Sequence, residues 1–270
     1  MTESTYRLWE NAVPGALGTK PEDTPTITIY PAKPGSSQGA GPQPAIVILP
    51  GGGYRFLAQH EGPAYAEWLS ENGFTCFLVQ YRLASDDYRW PAMLWDAARA
   101  MRWTRCHAAE YQVDPQRIGM IGSSAGAHLL ASLATHFDDG DPQAADPVER
   151  FSSRPSLGVL CYGVFSTDLL GCDSDFVARL VGPDATPEQI NAFSPVKSVT
   201  ANTPPCFLMH TVEDEKVNVM QSLVFAEALH QHGVRFEVHI YEKGAHGIAV
   251  KKQHPWPAEC IRWLNEQFSI

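Results

Sequence analysis

The sequence predicts an α/β fold, a mostly parallel twisted sheet with helices on both faces. Three observations carry this reading. Short apolar runs alternate along the chain with segments of helical spacing, and most runs are continuously apolar, as strands buried on both faces are. At residues 117–135 one such run turns directly into a helical pattern through Gly122-Ser123-Ser124-Ala125-Gly126. Finally, 270 residues, 44% hydrophobic and 19% charged, suit one α/β domain with a large core. No internal repeat or second domain is evident. Residues 1–270 therefore read as a single domain, with 136–154 and 173–201 as loop or cap-like insertions.

Each element has its own signal. Thr26–Tyr30 alternates polar and apolar, as an edge strand does. Residues 31–44, rich in Pro, Gly and Ser, form a solvent loop. Residues 45–49 (AIVIL) suit a central strand, which Pro50-Gly51-Gly52-Gly53 stops. Residues 61–72 place Ala64, Tyr65, Trp68 and Leu69 on one helical face, with Gly73 as the stop. Residues 75–81 are another buried strand. Pro91 opens a long helix to Tyr111, because proline is tolerated in a first turn. After strand 117–122 and helix 124–135 comes the polar insertion 136–154. Residues 157–162, 206–209 and 235–241 are further strands. Residues 222–232 and Trp256–Phe268 are helices, and 173–201 should supply short helices over the C-terminal edge of the sheet.

Composition excludes several functions. A formal charge of −10 argues against nucleic acid or an anionic membrane as partner. No apolar run approaches the roughly 20 residues of a membrane span. The N-terminus MTESTYRLWE lacks a basic segment followed by an apolar core, so no signal peptide is seen. Six cysteines, at 76, 106, 161, 172, 206 and 260, are scattered without C-x-x-C, and three fall inside strands. Buried thiols in a reducing cytoplasm are the expectation. No G-x-x-x-x-G-K-[ST] is present, and Asp138-Asp139-Gly140-Asp141 lacks the spacing and terminal glutamate of a calcium loop. No metal or cofactor is expected.

The 122–126 stretch fits G-x-S-x-G, and its strand–turn–helix setting is that of a nucleophile elbow with Ser124 at the exposed apex. A serine hydroxyl is a poor nucleophile until a neighbouring base takes its proton, and that base needs an acid to orient it. After such an elbow the acid and then the histidine follow in chain order, each on a loop beyond a strand. Of ten histidines, His246 occupies that place, in the glycine-flanked loop after strand 235–241. His128, one turn beyond Ser124, would sit behind the nucleophile and reads as packing. The loop after 206–209 offers Glu213, Asp214 and Glu215, and Asp168 is the reserve acid. The N–H of Ala125 and those of the Gly51-Gly52-Gly53 run, chiefly Gly52 and Gly53, are the candidate oxyanion donors.

The chain resembles α/β-hydrolases of the esterase/lipase superfamily, and among them bacterial acetylxylan-esterase-like carbohydrate esterases. The resemblance rests on Leu49-Pro50-Gly51-Gly52-Gly53-Tyr54, Tyr81-Arg82-Leu83, Trp90-Pro91 with Asp96-Ala97, and Asp114-Pro115-Gln116-Arg117-Ile118-Gly119. It continues through the elbow to His128, Thr203-Pro204-Pro205, and Tyr241-Glu242-Lys243-Gly244-Ala245-His246-Gly247. It spans residues from about 45 to 250. It implies an α/β-hydrolase fold, and it selects Asp214, four residues after His210, as the acid. Three departures stand out: Ala127 follows Gly126 where a second glycine is usual, Asn218 stands where proline is common, and Pro50 replaces the histidine before the glycine run. None removes a catalytic group. The resemblance implies a serine carboxylesterase acting through an acyl-enzyme on short acetyl esters of a small molecule, an acetylated sugar such as a xylo-oligosaccharide. A formamidase, a general small-ester hydrolase and a non-catalytic binding protein on the same fold are the alternatives. Tyr54, Arg55 and Phe56 should crowd the oxyanion side of the site, His128 should narrow it from below, and Trp90 should face the sugar.

Overall fold

The computed structural model describes residues 4–33, 41–169, 174–251 and 253–270. Part of the 31–44 loop, the start of the 173–201 segment and Cys172 lie outside the described residues. The strands are β1 (Ser4–Arg7), β2 (Thr26–Tyr30), β3 (Gln43–Leu49), β4 (Thr75–Gln80), β5 (Val113–Ser123), β6 (Gly158–Cys161), β7 (Cys206–Thr211) and β8 (Phe236–Tyr241). They make one eight-stranded sheet in the order β1-β2-β4-β3-β5-β6-β7-β8. β1–β2 and β2–β4 pair antiparallel; every pair from β4 through β8 is parallel. This is the α/β-hydrolase sheet.

The helices are α1 (Pro63–Glu71), α2 (Ala92–Cys106), α3 (Ala125–His136), α4 (Ser174–Val181), α5 (Pro187–Ala192), α6 (Met220–Gln231) and α7 (Trp256–Phe268). They explain why β3 is apolar from Ala45 to Leu49. Successive strand residues face opposite sides of a sheet. Ile46 and Ile48 enter a core shared with Tyr65 and Leu69 of α1 and with Trp256 and Trp263 of α7. Val47 and Leu49 enter the other, with Met101 of α2, Leu130 of α3 and Phe225 of α6. Residues 45–49 are buried on both faces, which suits apolar side chains.

Several elements depart from expectation. β1 carries no apolar pattern because most of it is exposed, and it is recruited by pairing with β2. α2 ends at Cys106, not Tyr111. His107 stacks on Trp103 with ring centroids 3.9 Å apart, and the chain then turns back through Gln112 at φ +55°. Val113 donates to Ala108 O, and the Gln112 carbonyl accepts from Gln43 N, so β5 begins beside β3 four residues early. The polar 136–154 segment docks by charge: Arg99 Nη1 of α2 reaches Asp146 and Glu149, each at 2.7 Å. Among the described residues no helix is long and apolar enough to cross a membrane. The described cysteines 76, 106, 161, 206 and 260 are free thiols, all but Cys106 buried.

Candidate active site

Ser124 sits between β5 and α3 at φ +51°, ψ −118°, a strained conformation for a residue with a side chain. Its glycine neighbours make this turn possible. A Cβ on Gly122 would lie 2.3 Å from Gly126 O, and one on Gly126 would lie 2.0 Å from Leu49 O. Strand end, helix start and β3 therefore meet backbone to backbone. The Ser124 N–H donates to Cys161 O at 2.9 Å, which anchors the apex to β6. Gly126→Ala should destabilise the protein by about 3 kcal/mol, the upper end of ordinary overpacking, because a backbone carbonyl must yield. A denaturant titration against wild type measures this.

The elbow presents Ser124 Oγ 2.9 Å from His246 Nε2, and His246 Nδ1 lies 2.7 Å from Asp214 Oδ2. The carboxylate can only accept, so Nδ1 carries the proton and Nε2 is left to take one from Ser124. Asp214 is buried. Its Oδ1 accepts from the N–H groups of Lys216 and Val217, both at 2.9 Å, and Oδ2 also lies 3.3 Å from His210 Nε2. Burial alone would raise its pKa. The hydrogen bonds from His210, His246 and Val217 outweigh that and hold the carboxyl well below the usual range. A depressed folded-state pKa contributes stability above the ordinary carboxylate pKa and loses it as pH falls through the folded value. Asp214 is thus ionised wherever His246 is called upon to act.

Neither neighbouring acid hydrogen-bonds His246 among the described residues. Glu213 takes Lys243 Nζ at 2.8 Å and the Gly244 N–H. Glu215 lines the cavity without reaching His246. Asp168 pairs with Lys197 on the surface.

Beside Ser124, the turn after β3 aims two amides. Peptides are planar and, with the exception of Trp90-Pro91, trans among the described residues, so each C=O points opposite to the next N–H. Gly51 O accepts from Ala58 N at 3.0 Å, which directs the Gly52 N–H the other way. Gly52 O accepts from Arg55 N at 3.0 Å, which does the same for Gly53. Among the described residues no protein acceptor takes the N–H of Gly52, Gly53 or Ala125. Gly52 at φ +124°, with Phe56 O 2.0 Å from where a Cβ would be, tolerates no side chain. All three residues line one open cavity of about 1030 Å³ with Ser124 and His246.

Of the residues expected against substrate, Arg55 lines this cavity, as does Phe56. Tyr54, His128 and Trp90 do not. Tyr54 is fully buried: at φ +58° its ring turns inward against Tyr81 and His128. His128 Nε2–H donates to Phe193 O at 2.9 Å, so Nδ1 accepts from Tyr54 Oη–H at 2.8 Å. Burial pushes His128 down to about 4 and keeps it neutral. Trp90 packs edge-on against Phe193 and His128. Tyr54 and Trp90 thus pack against His128 of α3 away from the cavity, whereas Phe176 and Arg179 of α4 line it.

Two neighbours of the candidate site, Glu61 and Tyr162, escape a reading of sequence alone, and His210 joins them. Glu61, 2% exposed, accepts from Gly51 N–H and from Tyr162 Oη–H, both at 2.9 Å. Tyr162, at φ +40° just past β6, lays its ring 5.2 Å from that of His246. His210 is held by Ser222 Oγ at 2.8 Å and Val217 O at 3.0 Å beneath Asp214. A carboxylate two residues before a helical face, Glu61-Gly62-Pro63, was the available signal for the first, and it reads equally as an ordinary helix start. Glu237, His239 and Glu259 cluster away from the cavity, but Arg262 pairs with both glutamates and supplies the charge a cation would.

Residues 33–229 match the model of the BD-FAE family. The structure is similar to that of an acetyl ester-xyloside bifunctional hydrolase from Caldicellulosiruptor lactoaceticus, with TM-score 0.88, 37% identity, and coverage of 97% of this chain and 96% of that one. Endo-1,4-beta-xylanase B of Butyrivibrio fibrisolvens is 35% identical over 212 residues, 76% of this chain and 32% of that protein. An acetylxylan esterase of Xylanibacter ruminicola is 29% identical over 209 residues, 76% of this chain and 41% of that protein. The match thus spans well under half the length of either curated relative.

Proposed function

The chain belongs to the BD-FAE family, and from that premise we propose that it is an α/β-hydrolase that cleaves carboxylic esters, a serine esterase removing acetyl groups from carbohydrate alcohols such as acetylated xylo-oligosaccharides. The single observation that carries the mechanism is the hydrogen-bonded line Ser124–His246–Asp214 opening on the same cavity as three free amides. Ser124 Oγ attacks the acyl carbon while His246 Nε2 takes its proton. Asp214 holds the ring and stabilises the imidazolium. Gly52, Gly53 and Ala125 N–H groups receive the negative charge of the tetrahedral oxygen, each such donor contributing roughly 3–4 kcal/mol to the transition state. His246 then protonates the departing sugar oxygen and leaves an acetyl-enzyme. Water, deprotonated by the same histidine, releases acetate and restores Ser124. No group in this scheme requires a cofactor. Residues 1–270 act in this reading as one catalytic domain, with 136–154 and 173–201 as insertions and the second roofing the cavity.

The acetyl and sugar assignments draw on the relatives named for acetyl ester and acetylxylan hydrolysis. They are supported by the cavity's lining, which combines Arg55, Arg179 and Lys216 with Phe56 and Phe176. Polar groups interleaved with aromatic faces suit a hydroxyl-rich ring, whereas a lipid chain gains about 0.8 kcal/mol per buried methylene from apolar wall. The test is a series of p-nitrophenyl esters from acetate to octanoate, followed by acetylated xylose and xylan. kcat/KM should fall steeply beyond propionate, and the acetylated sugars should be turned over. A rise through hexanoate or octanoate would make this a lipid-type esterase instead.

A further inference from the structure

The active site rests on a buried carboxylate that the mechanism above leaves unused. Glu61 closes the segment after β3, and each of its oxygens accepts one hydrogen bond, Oε2 from Gly51 N–H and Oε1 from Tyr162 Oη–H. On the first side it grips the Pro50–Gly51 peptide, whose carbonyl is taken by Tyr81 Oη–H. That peptide is therefore held at both ends, one torsion pair before the Gly51–Gly52 unit that aims an oxyanion donor. The intervening torsions belong to a glycine and are intrinsically soft. The grip on the Pro50–Gly51 peptide and the Ala58 N–H on Gly51 O fix them together.

On the second side the hydrogen bonds run in a single direction. A carboxylate accepts only, so Tyr162 must donate to it, and burial and the nearby Glu61 charge both keep the tyrosine protonated. The Tyr162 oxygen then accepts from Ala249 N–H at 3.2 Å and from Tyr65 Oη at 3.1 Å, and Tyr65 in turn accepts from Ser123 Oγ at 2.9 Å. Ala249 belongs to the loop that bears His246, and Ser123 immediately precedes Ser124. One carboxylate thus terminates hydrogen bonds from the oxyanion turn, the base loop and the nucleophile elbow. Every member of this chain is buried, where hydrogen bonds polarise one another and an unpaired end is costly.

We propose that Glu61 is a positioning residue that, with Tyr162, holds the oxyanion turn and the His246 loop in register with Ser124. This role rests on the serine-esterase reading. Glu61 borders the cavity, but among the described residues its oxygens accept from Gly51 N–H and Tyr162 Oη–H and make no hydrogen bond to Ser124, His246 or Asp214. Its contribution belongs to the geometry of the transition state, not to capture of the ester.

The test uses the full chain and p-nitrophenyl acetate. Glu61→Ala should lower kcat about 10²-fold, the lower end of what loss of one oxyanion donor costs, with KM within about threefold of wild type. Glu61→Gln should lose only about tenfold, since its Oε1 can still accept from Gly51 while its Nε2 donates to Tyr162 and the hydroxyls beyond reorient. Tyr162→Phe should also lose about tenfold, and adding it to Glu61→Ala should cost little more, because the two act as a unit. Amide hydrogen exchange gives a readout free of activity: Glu61→Ala should speed exchange both at 51–61 and at 244–250, segments far apart in sequence. Wild-type kcat in Glu61→Ala, a loss that appears in KM, fully additive effects, or exchange confined to 51–61 would each overturn the proposal. If Glu61→Ala fails to fold, Glu61→Gln and Tyr162→Phe carry the same comparisons. If the wild type hydrolyses no ester, the functional reading fails, while the exchange result still decides the role of Glu61.

Discussion

Ser124→Ala is expected to abolish ester hydrolysis, lowering kcat by about six orders of magnitude, while the protein remains folded. The hydroxyl's partner is His246, and it lies at the cavity wall, so removing it opens no hole in either core. Alanine keeps the Cβ and leaves the backbone at φ +51° no more strained than serine does. The residual rate would come from the amides of Gly52, Gly53 and Ala125 and from binding alone. The measurement is kcat on p-nitrophenyl acetate beside a thermal unfolding midpoint, with a fluorophosphonate probe to report the labelled residue. Ser123 is the adjacent alternative and a poor one: it is fully buried and its hydroxyl donates to Tyr65. Labelling at any serine other than Ser124, or a variant retaining more than a trace of turnover, overturns the assignment.

His246→Ala should be nearly as severe, since a nucleophile without its base is as inert as the base without its nucleophile. Asp214→Asn should cost about 10⁴-fold, somewhat less. The reason lies in the donors around it. Lys216 and Val217 N–H groups both point at Oδ1, so an asparagine would keep its carbonyl there and turn its NH₂ toward His246 Nδ1. Nδ1 would then have to accept, Nε2 would carry the proton, and it could not take one from Ser124. Asp168→Asn is the control, and it should leave kcat near wild type because Asp168 pairs with Lys197 on the surface. Were Asp168→Asn the more damaging of the two aspartate changes, the acid would have to be reassigned to the loop after β6.

What the sequence determined by itself is local or periodic. A run apolar at every position from Ala45 to Leu49 implies helices on both faces, because a strand residue has only two directions in which to point. The Gly-x-Ser-x-Gly between an apolar run and a helical one implies a tight strand-to-helix turn, because only glycine lets backbones approach to the distances seen at Gly122 and Gly126. The order of Ser124, the acidic loop and His246 was likewise readable, since each follows a recognisable strand. Tertiary structure decided the rest. Whether Tyr54 faces the cavity or the core depends on one positive φ, and whether Glu213, Asp214 or Glu215 reaches His246 depends on how two loops after β7 and β8 meet. Glu61 and Tyr162 lie 101 residues apart in the chain, and nothing in either local sequence records the 2.9 Å bond between them. Side-chain period and turn chemistry are set by neighbours along the chain. A buried polar partner is set by whatever the folded sheet brings alongside, and pattern carries no trace of it.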